Sequence, residues 1–233
     1  MIDIDNELKK IAEAETTDIS YHKVQSNNDT LVVSFAGWGT RYFQMKKSLL
    51  NISDECKFDT LFLRNHKHHW YLGKLKEIGT GVNEIKNFLK KQISTYNKII
   101  FVGSSMGGYG ALLYGSLLDV DFIVAPIPQT DLRYVRKHIP KNREYRRVSR
   151  FKDYQKYKNL NNFISKKTKY FVTSRSEKRP KSNGQRWDYY QHNFYQCENI
   201  LNFGNVTYLG VTPEEFEVGD VAEFLKNKIL GKS

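Results

Sequence analysis

The feature that most constrains this chain is the run Lys98-Ile99-Ile100-Phe101-Val102, which leads directly into Gly103-Ser104-Ser105-Met106-Gly107-Gly108-Tyr109-Gly110. After Lys98 the run is apolar and largely β-branched, the pattern of a strand buried on both faces. The small apolar stretch from Met106 to Leu118 reads as a buried helix. Between the two stands G-x-S-x-G, with Gly103 and Gly107 on either side of Ser105. A serine raised on a tight strand-to-helix turn needs very small neighbours, because the helix must start against the strand it has just left. Such a turn lifts the Ser105 hydroxyl clear of the sheet. It also aims the Met106 amide, at the helix N-terminus, toward developing negative charge. Two glycine-rich phosphate-binding signatures, G-x-G-x-x-G and G-x-x-x-x-G-K-[ST], do not fit this segment.

The rest of the chain alternates strand and helix. Residues 30–35, 59–63, 122–125, 170–173 and 206–209 are short continuous apolar runs, as in a parallel sheet covered on both sides. Residues 19–24 alternate and suit an edge strand. Helical periodicity covers Leu75 to Ile93, Gln185 to Ile200 and Glu214 to Ile229, the last with Thr212 as an N-cap and Pro213 in the first turn. This order predicts right-handed crossovers and a three-layer α/β fold with a mostly parallel central sheet. With no repeat, linker or low-complexity tract, one domain over residues 1–233 is expected, residues 1–18 forming an N-terminal extension.

Composition narrows the function classes. Hydrophobic residues make up 39%, with 15 Tyr and 14 Phe, which favours a packed globule over a disordered chain. No apolar run approaches the ~20 residues of a membrane span. The acidic start Met1-Ile2-Asp3-Ile4-Asp5-Asn6-Glu7 is unlike a secretory signal, so a cytoplasmic location is expected. Cys56 and Cys197 form neither a close pair nor a zinc spacing, and no metal is called for. Lys and Arg number 37 against 25 acids, a net charge of +12, and the excess gathers over residues 133–186. Such a field attracts polyanions. No nucleic-acid-binding motif accompanies it, so an anionic small substrate is the better match and no nucleic-acid partner is expected.

A second element agrees with the serine turn. The strand at 30–35 is followed by Ala36-Gly37-Trp38-Gly39, where glycines let the backbone approach a substrate and Trp38 offers a backbone N–H. The strand at 59–63 is followed by Arg64-Asn65-His66-Lys67-His68-His69-Trp70-Tyr71. Here Trp70 and Tyr71 are expected to stack on sugar faces and Arg64 to reach anionic groups. The elbow Gly-Ser-Ser-Met-Gly-Gly-Tyr-Gly-Ala, the Phe-x-Gly-x-Gly loop and this aromatic–basic loop make the chain resemble the α/β-hydrolase superfamily over roughly residues 19–230. Within it, the short chain resembles bacterial capsule and surface-polysaccharide O-acetyltransferases and carbohydrate esterases. The resemblance implies acyl transfer or ester hydrolysis on a carbohydrate through an acyl-Ser105 intermediate. The oxyanion donors would be Met106 and Trp38, with acetyl-CoA one candidate acyl donor.

The same resemblance exposes a departure. The family order is serine, acid, histidine, and the histidine should follow the strand at 206–209. No histidine occurs after His192. A serine needs an adjacent base to act as a nucleophile. His192 stands one helical turn after Asp188, a spacing that lets the carboxylate orient the imidazole. His68 or His69 is a second source of a base, Glu217 a third, and Glu177 another acid. His22 and His138 have no motif around them. The alternative reading is a catalytically degenerate protein that binds a glycan, an acyl group or a protein partner.

Overall fold

A computed structural model describes residues 2–38, 42–134, 147–175, 195–212 and 218–231. The chain opens with helix α1 (Ile4–Glu15), whose N-cap is Asp3: its carboxylate accepts the Asn6 N–H at 3.1 Å. Strands β1 (Tyr21–Val24) and β2 (Thr30–Phe35) follow, then α2 (Lys46–Cys56) and β3 (Phe58–Leu63). A small hairpin, β4 (Lys74–Leu75) with β5 (Gly79–Thr80), precedes α3 (Gly81–Ile93). Then come β6 (Lys98–Gly103), α4 (Met106–Leu118), β7 (Phe122–Pro126), β8 (Lys169–Arg175) and β9 (Val206–Thr212). A C-terminal helix (Val218–Phe224) ends in a π-helical turn (Leu225–Ile229).

Seven strands form one sheet in the order β1-β3-β2-β6-β7-β8-β9. β1 is the antiparallel edge, and every other pairing is parallel. Side chains alternate between the two faces, as strand geometry requires. Leu31, Val33, Phe35 and Phe101 join one core with α3 and α4, whereas Val32, Ile100 and Val102 join another with α1, α2 and the C-terminal helix. Parallel strands buried on both sides need apolar residues at both parities, which is why these runs are continuous.

The strand expectations match the observed elements closely. One helix expectation changes. The helix expected from Leu75 starts at Gly81, because Glu77 (φ 65°), Gly79 (φ 148°) and Gly81 (φ 79°) turn the chain through a hairpin that no helix accommodates. The N-terminal extension is largely α1, with Ile11 fully buried against the second core. Of the helix expected at Gln185–Ile200, only 195–200 lies in the described residues, and Pro213 and Glu214–Glu217 lie outside them.

Candidate active site

Strand order places the site. β2 leads to β3 on one side, and the chain then returns past β2 to β6 on the other. Parallel sheets open a crevice at the carboxyl ends of the two strands where the order reverses. Here those ends are Phe35 and Gly103, which face each other in register. The loop after Phe35 carries Gly37 and Trp38; the turn after Gly103 carries Ser105. The two touch, since a Cβ on Gly37 would lie 3.1 Å from the Ser104 carbonyl oxygen.

Ser105 has φ 56° and ψ −117°, a conformation that L-residues rarely adopt. Its surroundings enforce it. The Ser105 N–H donates to the Pro126 carbonyl at 3.3 Å, and its carbonyl accepts from the Gln129 N–H at 3.2 Å and the Tyr109 N–H at 3.1 Å. The glycines have a steric cause: a Cβ on Gly103 would meet the Gly107 carbonyl at 2.5 Å. Met106 is the first residue of α4, where a helix offers its N–H groups no acceptor of its own. Among the described residues, no group hydrogen-bonds the half-buried Ser105 hydroxyl.

Several expected site residues stand elsewhere than the sequence suggested. Trp70 and Tyr71 are 0% exposed, and Arg64 is 1% exposed. The expectation that they bind substrate is corrected: a ring with both faces packed in the core has none left for a sugar. The Trp70 indole N–H donates to Gln129 Oε1, and the Tyr71 hydroxyl donates to the Ala36 carbonyl at 2.8 Å. Arg64 donates to the carbonyls of Ala14, Glu15, Thr17 and Ile19, closing the C-terminus of α1. His69 is also structural. Its Nδ1 accepts from the Gly73 N–H (3.2 Å) and lies 3.1 Å from Asn65 Nδ2, while Nε2 donates to the Lys74 carbonyl (3.1 Å). Burial pushes its pKa down to about 4. His66 Nε2 sits 3.0 Å from the Asp18 carbonyl, and His22 lies on the edge strand, 3.8 Å from Glu7. Burial lowers the pKa of both.

Gly39, Asp188, His192, Glu177, His138 and Glu217 lie outside the described residues. What surrounds the site on the described side is aromatic. Trp38 is 42% exposed, with its ring 5.4 Å from that of His68. Tyr42 is 63% exposed on the same loop. Beyond β7, Tyr195 stacks on Tyr134 with centroids 4.3 Å apart. Next to Tyr195, Gln196 accepts the N–H groups of Thr130 and Asp131 and donates to the Asp131 carbonyl, which fixes this turn to the loop after β7.

Sequence reasoning missed Gln44, whose side-chain oxygen accepts the Gly37 N–H at 2.7 Å while its carbonyl accepts the Ser34 hydroxyl at 3.0 Å. No local signal marks it. Among the described residues, no three His, Cys, Asp or Glu side chains group as a metal site, and no helix is long and apolar enough to cross a membrane.

No protein-family profile matches the chain, and no curated protein matches it in sequence. Solved structures do. The capsule O-acetyltransferase of Neisseria meningitidis serogroup A superposes with a TM-score of 0.61 at 15% identity, over 91% of each chain. A mutant of that enzyme in complex with CoA gives 0.58 at 15% identity, over 91% of each chain. Est1E from Butyrivibrio proteoclasticus gives 0.53 at 12% identity, over 89% of this chain and 90% of its own. This chain has the α/β-hydrolase fold. In that fold the Ser105 turn occupies the strand-to-helix junction of the G-x-S-x-G motif.

Proposed function

We propose that the protein is a serine acyltransferase or esterase acting on a carbohydrate, and that the Ser105 turn is its nucleophile elbow. The observation that carries this reading is the strained φ/ψ pair at Ser105, a non-glycine residue between two glycines that admit no side chain. Strain of this kind costs about 1–3 kcal/mol, persists only where the surrounding structure holds it, and clusters at active sites. In the proposed reaction Ser105 Oγ attacks the ester carbonyl carbon and gives its proton to a base. The tetrahedral oxyanion is held by the N–H groups of Met106 and Trp38. The bond from the carbonyl carbon to the leaving group breaks, carbon–oxygen in an ester or carbon–sulfur in an acyl-CoA thioester, and the departing oxygen or sulfur takes the proton. A sugar hydroxyl or water then attacks acyl-Ser105 and returns the serine.

For the base we propose His192, oriented by Asp188. The commitments of His22, His66 and His69 elsewhere support this choice. So does the anchoring of Gln196 beside Gln129, the residue bonded to the Ser105 carbonyl. His192 precedes Tyr195 by three residues, a tether of at most about 11 Å. The exposed rings of Trp38, Tyr42 and Tyr195 suit the faces of a sugar, and the +12 charge suits an anionic one. The resemblance to a capsule O-acetyltransferase solved with CoA supports an acyl-CoA as donor.

Fluorophosphonate labelling and p-nitrophenyl acetate turnover test the reading, with Ser105→Ala beside the natural chain. Labelling and turnover should vanish in Ser105→Ala, and His192→Gln should lose far more kcat than His68→Gln. Turnover that survives Ser105→Ala sinks the proposal. The absence of any histidine after β9 favours one other reading, a binding protein on the same scaffold. An intact chain that the probe never labels would support that one.

A further inference from the structure

The two oxyanion donors of the proposed reaction belong to different elements, Met106 to α4 and Trp38 to the loop after β2, so something must fix their separation. We propose that Tyr71 is the positioning residue that does so, an inference that rests on the acyl-transfer reading above. Two of its polar groups, the carbonyl and the hydroxyl, face these two elements. The Tyr71 carbonyl accepts from the Tyr114 hydroxyl of α4 at 2.6 Å. The Tyr71 hydroxyl donates to the Ala36 carbonyl at 2.8 Å, two residues before Trp38.

The rest of the segment is built to deliver this tie. His68, Trp70 and Tyr71 have φ of 47°, 52° and 58°, three left-handed non-glycine residues in four. In this segment the rings of Trp70 and Tyr71 both face inward, each 0% exposed. α4 makes room for the Tyr71 ring at Gly110, where a Cβ would lie 2.7 Å from Tyr71 Cδ2. His69 closes the loop by accepting the Gly73 N–H. Trp70 adds a second tie, through Gln129 to the Ser105 carbonyl. On the far side, the Ala36 N–H donates to the Leu63 carbonyl at 2.9 Å and the Gly37 N–H to Gln44 Oε1. The peptide groups leading up to Trp38 are thereby held from Tyr71, β3 and Gln44 together.

Pre-set donors are what makes an oxyanion hole effective, and a misplacement of about 1 Å costs on the order of a hundredfold in rate. Tyr71→Phe keeps the buried ring and removes only the hydroxyl. Tyr170→Phe is the control: Tyr170 of β8 is equally buried, and its hydroxyl bonds the Ser116 hydroxyl at 2.8 Å, near the end of α4 remote from Ser105. The measurements are kcat and KM for p-nitrophenyl acetate, and the affinity of a boronic acid that forms a tetrahedral adduct with Ser105. Tyr71→Phe should lower kcat roughly 10- to 100-fold and weaken the boronate by a similar factor, with KM little changed. Tyr170→Phe should leave kcat and boronate affinity near those of the natural chain. Should Tyr71→Phe fail to fold, Tyr114→Phe cuts the same tie from α4, and its kcat and boronate affinity should fall in the same way. Unchanged kcat in the folded variant, or an equal loss in Tyr170→Phe, overturns the proposal. Ser105→Ala separates the two readings: turnover that survives it defeats the acyl-enzyme itself, whereas turnover lost in Ser105→Ala and kept in Tyr71→Phe defeats only the role of Tyr71.

Discussion

The carbonyl oxygen of Phe35 lies 2.1 Å from where a Cβ on Gly107 would stand. α4 therefore begins in backbone contact with the end of β2, and the partner is main chain that cannot swing aside. Alanine is intrinsically better than glycine in a helix by about 1 kcal/mol, yet overpacking should decide the outcome here. Gly107→Ala is expected to cost about 3 kcal/mol net, read as a lowered urea midpoint. Gly204→Ala, where a Cβ meets nothing within 4 Å, should stay within about 0.5 kcal/mol of the natural chain.

Arg64 gives a prediction that separates a structural role from a substrate role. Its guanidinium satisfies carbonyls at and beyond the end of α1, 45–50 positions away in sequence. Arg64→Met should cost at least about 3 kcal/mol, because buried acceptors lose a charged donor. KM for a small ester should not move. A raised KM with unchanged stability would restore Arg64 to the binding site.

His69 predicts the acid side of the stability profile. Folded, it titrates near 4; unfolded, near its ordinary 6.5. Protonating Nδ1 would set an N–H against the Gly73 N–H. Below pH 6.5 the unfolded chain therefore takes up a proton that the folded chain refuses, and stability falls until pH reaches about 4. The loss totals on the order of 3 kcal/mol. His22 and His66, also lowered by burial, act in the same direction. Unfolding free energies measured across this window should flatten in His69→Gln, and an unchanged slope would rule His69 out.

Trp38 should matter through its ring separately from its backbone. Trp38→Ala retains the N–H, so kcat for p-nitrophenyl acetate should hold. KM for an acetylated sugar should rise about tenfold, equivalent to roughly 1.4 kcal/mol of lost stacking. Equal effects on both substrates would remove the ring from sugar recognition.

The sheet was legible because burial on both faces writes itself into consecutive residues, as in Thr30–Phe35 and Lys98–Gly103. The Ser105 turn was legible because its steric demand falls on its own immediate neighbours. α2 was not, since its N-cap is Met45 in a left-handed conformation with no capping side chain, and no start signal precedes it. The loop after β3 misled for a related reason. By residue type Arg64, Trp70 and Tyr71 look like a surface for recognising sugars and anions. Their partners are Ala14, Gln129 and Ala36, distant in sequence, and only the folded chain brings them together. Gln44 is the same case: a polar residue whose role is defined wholly by what it touches.

The first seventeen residues look dispensable on paper, yet Glu15 accepts the Phe43 N–H at 2.7 Å and binds Lys46, just beyond Gln44. The start of the chain is thus a buttress for the loop that carries Trp38. Trimming it to obtain a shorter protein would loosen one wall of the crevice while leaving Ser105 itself untouched.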